Sequence, residues 1–279
     1  MQDIQIRKAF YISDASSPVQ NFASQFLLPF FLSAIVVIVI TVAAERYGTK
    51  AGGIIGTLPS TMVVAFILIA INNGIGVATD AVAVVPAEMG INIVFLLIAA
   101  LLSRRSLPLA IAAALSVWAM LSSVILFIDL KGIILSLLIY AMLMIPSFLF
   151  LEFFKKTRSS RRVKIKYTPS KILIRGLLAG AVVAIAVSLA NIGAALSGIF
   201  SVFPAIFLST MVIFVMEHGP DFAGAMAKSM IFGTPTIVAY ATSIYFLYPS
   251  IGIAWGTIAS YAISLAVAFL LFKATRKMA

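Results

Sequence analysis

Gly53-Ile54-Ile55-Gly56-Thr57-Leu58-Pro59 and Gly198-Ile199-Phe200-Ser201-Val202-Phe203-Pro204 are two stretches that lie 145 residues apart. Each begins on glycine, ends on proline and sits inside a long apolar segment. The same offset lays Gly74 on Gly219, the apolar segment 27–44 on 172–189, and 107–128 on 252–273. Proline removes a backbone donor and clashes with the carbonyl four residues earlier, so it kinks or interrupts a helix. In hydrocarbon the freed carbonyl needs a neighbour, a hydroxyl or water. A chain that repeats itself and breaks its membrane helices at matching places points to a transport site between the repeats.

The 279-residue chain is 62% hydrophobic and 10% charged, with a mean hydropathy of +1.14. A soluble domain is about half apolar, and this chain has too few charges to solvate a globular surface. The absence of cysteine excludes disulfides, thiolate metal sites and a cysteine nucleophile. The net charge is +11, and nine of the twenty basic residues fall within 155–175. That clustering suits the anionic headgroups of a lipid bilayer and argues against nucleic acid. Residues 1–25 start polar and lack a short apolar core with a small-residue cleavage site, so no removable signal peptide is expected.

A helix needs about 20 apolar residues to cross the hydrocarbon core. Nine segments meet that measure: 26–44, 51–72, 80–102, 107–128, 132–153, 172–190, 194–215, 223–246 and 251–272. Short connections separate most of them, at Glu45–Lys50, Asn73–Thr79, Ser103–Ser106, Asp129–Lys131, Asn191–Gly193, Met216–Phe222 and Tyr248–Ser250. The expected fold is an all-α integral membrane protein of about nine transmembrane helices. Lys155, Lys156, Arg158, Arg161, Arg162, Lys164, Lys166 and Lys171 share one loop that holds no acid, which places it in the cytoplasm. Counting outward then puts the N-terminus outside and the C-terminus inside, in a plasma or inner membrane. The domains read as an extracytoplasmic segment 1–25, a four-helix repeat 26–128, a linker helix with the basic loop 129–171, and a second four-helix repeat 172–279. The lone linker span flips the second repeat, so the two have inverted topology.

The two prolines head the list of candidate site residues. Thr57, Ser60 and Thr61 flank Pro59, and Ser201 stands near Pro204, each hydroxyl placed to satisfy a freed carbonyl. A structural kink is the simpler alternative, since proline is common in membrane helices. Glu88, in Val85-Pro86-Ala87-Glu88-Met89-Gly90-Ile91-Asn92, is the one acid well inside an apolar span. A carboxylate there is costly unless paired, hydrated or protonated, which makes Glu88 a candidate proton carrier and Asn92 a polar neighbour one turn on. The position 145 residues later is Gly233, in Gly233-Thr234-Pro235, so the partner helix is expected to break at matching depth. Lys228 reads either as a snorkelling residue or as a counter-ion. Asp80 is expected to open its span, Arg175 to reach headgroups, and Asn72, Asn73 and Asn191 to sit in turns. Gly176 with Gly180 and Gly252 with Gly256 carry the spacing of close helix packing. Trp118 and Trp255 read as packing residues. His218 between Glu217 and Asp221 is a weak metal site and reads as a solvated turn.

There is no G-x-S-x-G, H-E-x-x-H or Walker A pattern, so neither an enzyme nor a cofactor is expected. The glycine-rich entry followed by a mid-helix proline, Gly52 to Pro59 and again Gly198 to Pro204, resembles the small GlpM-like four-helix membrane proteins of unknown function. The resemblance covers spans two and three of each unit and implies a fold, not a substrate. A four-helix unit duplicated in opposite orientations is also similar to drug/metabolite transporters, which usually have ten spans where this chain shows nine. Three function classes stay open. The first is a secondary transporter of a small solute or ion, proton-coupled through Glu88. The second is a channel or structural membrane subunit. The third is a membrane-embedded lipid-handling enzyme. Glu88 without an evident core arginine favours a cation or a neutral metabolite, while broken-helix N-termini suit an anion.

Overall fold

The structure, a computed structural model, describes residues 22–56, 58–130, 132–151 and 168–277. Among these the chain is all helix and turn. A π-helical turn, Ala23–Leu27, leads into α1 (Leu28–Gly56). There follow α2 (Ser60–Asn73), α3 (Ile75–Ala83), α4 (Val85–Leu102), α5 (Leu107–Phe127) and α6 (Ile133–Leu149). The second half holds α7 (Pro169–Leu189), α8 (Ala194–Ser201), α9 (Ala205–His218), α10 (Pro220–Gly233) and α11 (Pro235–Lys277). Six helical stretches among the described residues are long and apolar enough to cross a membrane. Outward-facing Ile134, Leu138 and Met142 on α6, and Trp255 and Phe269 on α11, are each more than half exposed. Water does not tolerate so extensive an apolar surface, and lipid does.

The combined stretch Ile75–Leu102 is 83% buried, against 28% for Leu107–Phe127. Thus α3 and α4 form the centre, and the other helices wrap them. Small residues make this possible. A Cβ on Gly198 would overlap the Ala81 carbonyl, so α8 lies backbone to backbone on α3. A Cβ on Gly180 would come within 2.5 Å of the Phe30 carbonyl oxygen, and one on Gly176 within 2.6 Å of Ile38. The Gly176/Gly180 spacing therefore seats α7 against α1, as small-residue motifs do in membranes.

The helix ends follow the 145-residue offset closely. Pro59 caps α2 at φ −76°, ψ 43°, and Pro204 caps α9 at φ −73°, ψ 33°. Both helices run for 14 residues. They stop at Gly74 (φ 92°, ψ 160°) and Gly219 (φ 83°, ψ 167°), a conformation that glycine adopts without strain. The next pair of breaks slips. Val84 separates the nine-residue α3 from α4, whereas Thr234 separates the 14-residue α10 from α11.

Several expectations need correction. No loop occurs at 45–50, because α1 runs unbroken to Gly56. Glu45-Arg46-Tyr47-Gly48-Thr49-Lys50 contains no proline and only one glycine, so nothing there forces a helix to end. The turn expected at Tyr248–Ser250 falls at Gly252, where φ 77° and ψ 178° divide α11 into two helical pieces. Asp80 does not open its helix; α3 starts five residues earlier, at Ile75. Arg175 is buried rather than at the headgroups, and its Nη1 donates to Thr210 Oγ1 on α9 at 2.9 Å. Trp255 packs outward instead of into the core, at 69% exposure.

Candidate functional site

The two proline breaks meet. Leu58, Pro59, Thr61 and Met62 from the start of α2 and Val202, Phe203, Pro204 and Ala205 from the start of α9 line one cleft of about 50 Å³. Met89 of α4, Ala179 and Val182 of α7, Ser201 and Ile237 close its sides. A proline at the start of each helix explains the geometry. Having no N–H, it fits where the first-turn donors are unsatisfied anyway. The helix before each break ends early, and α2 and α9 begin at the cleft.

The broken segment of the second half is held from several directions. Asn92 Nδ2 donates to the Val202 carbonyl at 2.7 Å. Ser201 Oγ donates to the Gly198 carbonyl at 2.6 Å. The Phe203 ring meets Trp118 of α5 edge to face, with centroids 4.9 Å apart. Phe200 stacks on Phe203 at 6.3 Å. A freed carbonyl thus finds a side-chain amide, as hydrocarbon demands.

Glu88 does not line the cleft. It is fully buried on the side of α4 that faces α5, where its Oε2 accepts from Ser122 Oγ at 2.8 Å. Asn92, one turn on, is equally buried. Among the described residues, Oε1 of Glu88 and Oδ1 of Asn92 have no hydrogen-bond partner.

The second pair of breaks is held by the linker helix. Ser136 Oγ on α6 accepts from the Ala87 amide at 2.8 Å, just past the Val84 break. Tyr140, one turn along α6, shares a hydrogen bond with Thr234 Oγ1 at 2.8 Å. A Cβ on Gly90 would lie 3.2 Å from the Tyr140 Cα, so the helices approach closely there. Thr234 Oγ1 also donates to the Ile231 carbonyl at 2.8 Å, which accepts the Thr234 amide as well at 3.2 Å.

The expected site residues therefore fall into three groups. Pro59, Thr61, Ser201 and Pro204 share the cleft. Glu88 and Asn92 lie beside it, with Asn92 bonded to its wall. Gly233, Thr234 and Pro235 form the break that α6 covers. Ser60 is buried at the head of α2, and Lys228 is half-buried on α10; neither lines the cleft. Thr57 lies outside the described residues, as does the basic segment from Lys155 to Lys166. Lys171, at the start of α7, pairs with Glu217 at the end of α9. No group of three metal-ligating side chains occurs among the described residues. Sequence reasoning missed Ser122, Ser136 and Tyr140. The Ser136/Tyr140 spacing of four places both on one helix face, but nothing local says which breaks that face meets.

A family model described as a protein of unknown function (DUF3147) matches residues 26–148. The match runs from the π-helical turn through nearly all of α6 and leaves out the second half. No curated protein and no solved structure matches the chain.

Proposed function

We propose that this chain is a secondary transporter of a small solute or ion. It would have nine spans, two inverted four-helix repeats joined by α6, and its site at the repeat interface near the membrane midplane. The observation that carries the reading is the shared cleft of Pro59 and Pro204. Helices broken at matching positions of two repeats, with their ends turned toward one space, are how many secondary transporters build a binding site. The agreement of cap angles and helix lengths across the 145-residue offset supports the duplication. The N-terminus would lie outside and the C-terminus in the cytoplasm of a plasma or inner membrane. Its basic loop would meet anionic headgroups there.

The cleft constrains the cargo. At about 50 Å³ the cleft is narrow, which suits a small solute or ion. Among the described residues no ionised side chain lines it. Glu88 faces away, and the first turns of α2 and α9, whose leading Ser60 and Ala205 amides donate back to Leu58 and Phe203, bring the positive ends of two helix dipoles. That balance favours an anionic or neutral cargo over a cation.

Reconstituted proteoliposomes test this. Halides, small oxyanions and small neutral solutes would be offered with and without an imposed pH gradient. The expected result is saturable, gradient-driven flux of one class, weakened by P59A and by P204A. Flux that never saturates and ignores the gradient would make the protein a channel. Absence of flux for every class would remove the transport reading.

A further inference from the structure

We propose that Glu88 and Asn92 form a proton-binding site, and that its proton decides whether Asn92 holds the broken segment of the cleft. Both side chains are fully buried. Glu88 uses Oε2 on Ser122 and leaves Oε1 without a partner. Asn92 has two N–H donors on Nδ2, and both have acceptors: the Val202 carbonyl at 2.7 Å and Met89 Sδ at 3.7 Å. Its Oδ1 has none. The orientation of this amide is fixed by its partner, because only the nitrogen can donate to a carbonyl.

Two orphaned acceptors therefore lie four residues apart on α4. That spacing puts them on one helix face. Helical side chains also lean toward the N-terminus, which carries Asn92 back over the turn that holds Glu88. A single proton on Oε1 makes Glu88 a donor to Asn92 Oδ1 and satisfies both atoms.

Removal of the proton reverses the preference. A carboxylate is an acceptor only, and a buried one demands donors. Asn92 supplies them by turning its amide nitrogen to Glu88. The proton leaves for solvent, and the Val202 carbonyl loses its donor. Val202 lies in the segment between α8 and α9 and lines the cleft with Phe203 and Pro204. The charge state of Glu88 is thereby tied to the wall of the cleft.

The ionisable residues on the surrounding helices are Asp80 of α3, Tyr140 of α6, Glu217 and His218 of α9, Asp221 and Lys228 of α10, and Tyr240, Tyr245, Tyr248, Tyr261, Lys273, Arg276 and Lys277 of α11. Glu88 bonds none of them; its polar partner is Ser122. The site rests on the transporter reading for its purpose only, and its test involves no flux.

The chain has two tryptophans. Trp118 touches Phe203 in the broken segment, and Trp255 faces outward. A W255F protein therefore carries one fluorophore against that segment. Infrared difference spectra and Trp118 emission would be recorded across a pH titration in detergent and in nanodiscs. The expected result is a protonated-carboxyl signal that is absent in E88Q, and an emission change over the same pH range. E88Q should hold emission at its acid-side value. N92L should leave the carboxyl titrating while Trp118 stops responding; Asn92→Met serves in its place if N92L does not fold. An emission change that persists in E88Q or in the Asn92 variant overturns the proposal. So does a sodium-induced change at fixed pH with the carboxyl ionised, which would make the ligand a metal cation. Loss of transport in the parent leaves these readings intact, and their failure leaves the transport assay standing.

Discussion

Asn73 donates from Nδ2 to Asn191 Oδ1 at 2.7 Å, tying the end of α2 to the turn after α7. Asn191 in turn donates to Gln25 Oε1 at 2.6 Å, beside the start of α1. Three chain regions far apart in sequence thus share one end of the bundle. At the corresponding point of the second half, Lys171 at the start of α7 pairs with Glu217 at the end of α9. In the first half, Asn72 at the end of α2 donates to the Ser24 carbonyl at 3.3 Å. Glu217 and Asn72 are 145 residues apart, so the ends of α2 and α9 are each tied to a segment at the start of their own half.

This arrangement sets the first prediction. The chain has no cysteine, so single cysteines can be introduced without background. N73C and N191C should react with an impermeant thiol reagent from the same face of the membrane, and a cysteine at Ser159 only from the other. A cysteine at Ser250 should behave like the asparagine pair. Labelling of Ser159 and Ser250 from one side would end the inverted-repeat reading.

Gly198 sits at a very close helix contact, so Gly198→Ala should be costly. Its Cβ would fall on backbone, which cannot swing aside, and overpacking of this kind costs about 1–3 kcal/mol or more. Gly193→Ala is the control, since a Cβ there meets nothing within 4 Å and its φ of −178° suits any residue. Thermal unfolding in detergent should show a large drop for the first and little change for the second. Equal melting temperatures would mean α8 does not seat on α3 this closely.

Asn92 and Ser136 make a second comparison. Asn92→Leu orphans the Val202 carbonyl, and Ser136→Ala orphans the Ala87 amide. Leaving a buried group unsatisfied costs about 1–3 kcal/mol. Tyr140→Phe should cost less, about 0.5–1.5 kcal/mol, because Thr234 Oγ1 keeps its bond to the Ile231 carbonyl. An ordering with Tyr140→Phe the worst of the three would show that α6 acts through packing and not through these hydrogen bonds.

Much of this was legible beforehand, for particular reasons. Pro59, Pro204, Gly74 and Gly219 act locally on φ and on donor count, so their helix breaks could be read from residue type alone. The break at Gly233–Pro235 was legible for the same reason. That the chain is helical, with several stretches apolar enough to span a membrane, followed from composition. The unbroken α1 was not, because charged residues mark a loop only when the backbone also has a reason to turn. Long-range partners were not legible either. Arg175 meets Thr210 and Asn92 meets Val202 through the packing of separate helices, which no spacing encodes. The cleft's separation from Glu88 is a matter of helix rotation: Met89, the next residue and about 100° around the helix, faces the cleft while Glu88 faces Ser122.

Glu88→Gln tests the coupling role directly. The substitution keeps size and an oxygen that accepts from Ser122, and its amide nitrogen can donate to Asn92 Oδ1 as a protonated acid would. Folding should therefore be preserved, with a stability change inside about 1 kcal/mol, the ordinary range for a substitution that creates no cavity and no orphan. What it removes is proton release. Gradient-driven accumulation in proteoliposomes should fall to the level of passive exchange, while exchange of labelled for unlabelled cargo continues, because binding at the cleft does not use this side chain. Lys228, half-buried on α10, is the next group to test. If Glu88→Gln accumulates cargo as steeply as the parent does, the carboxyl is structural, and Lys228→Met should then be the variant that loses accumulation.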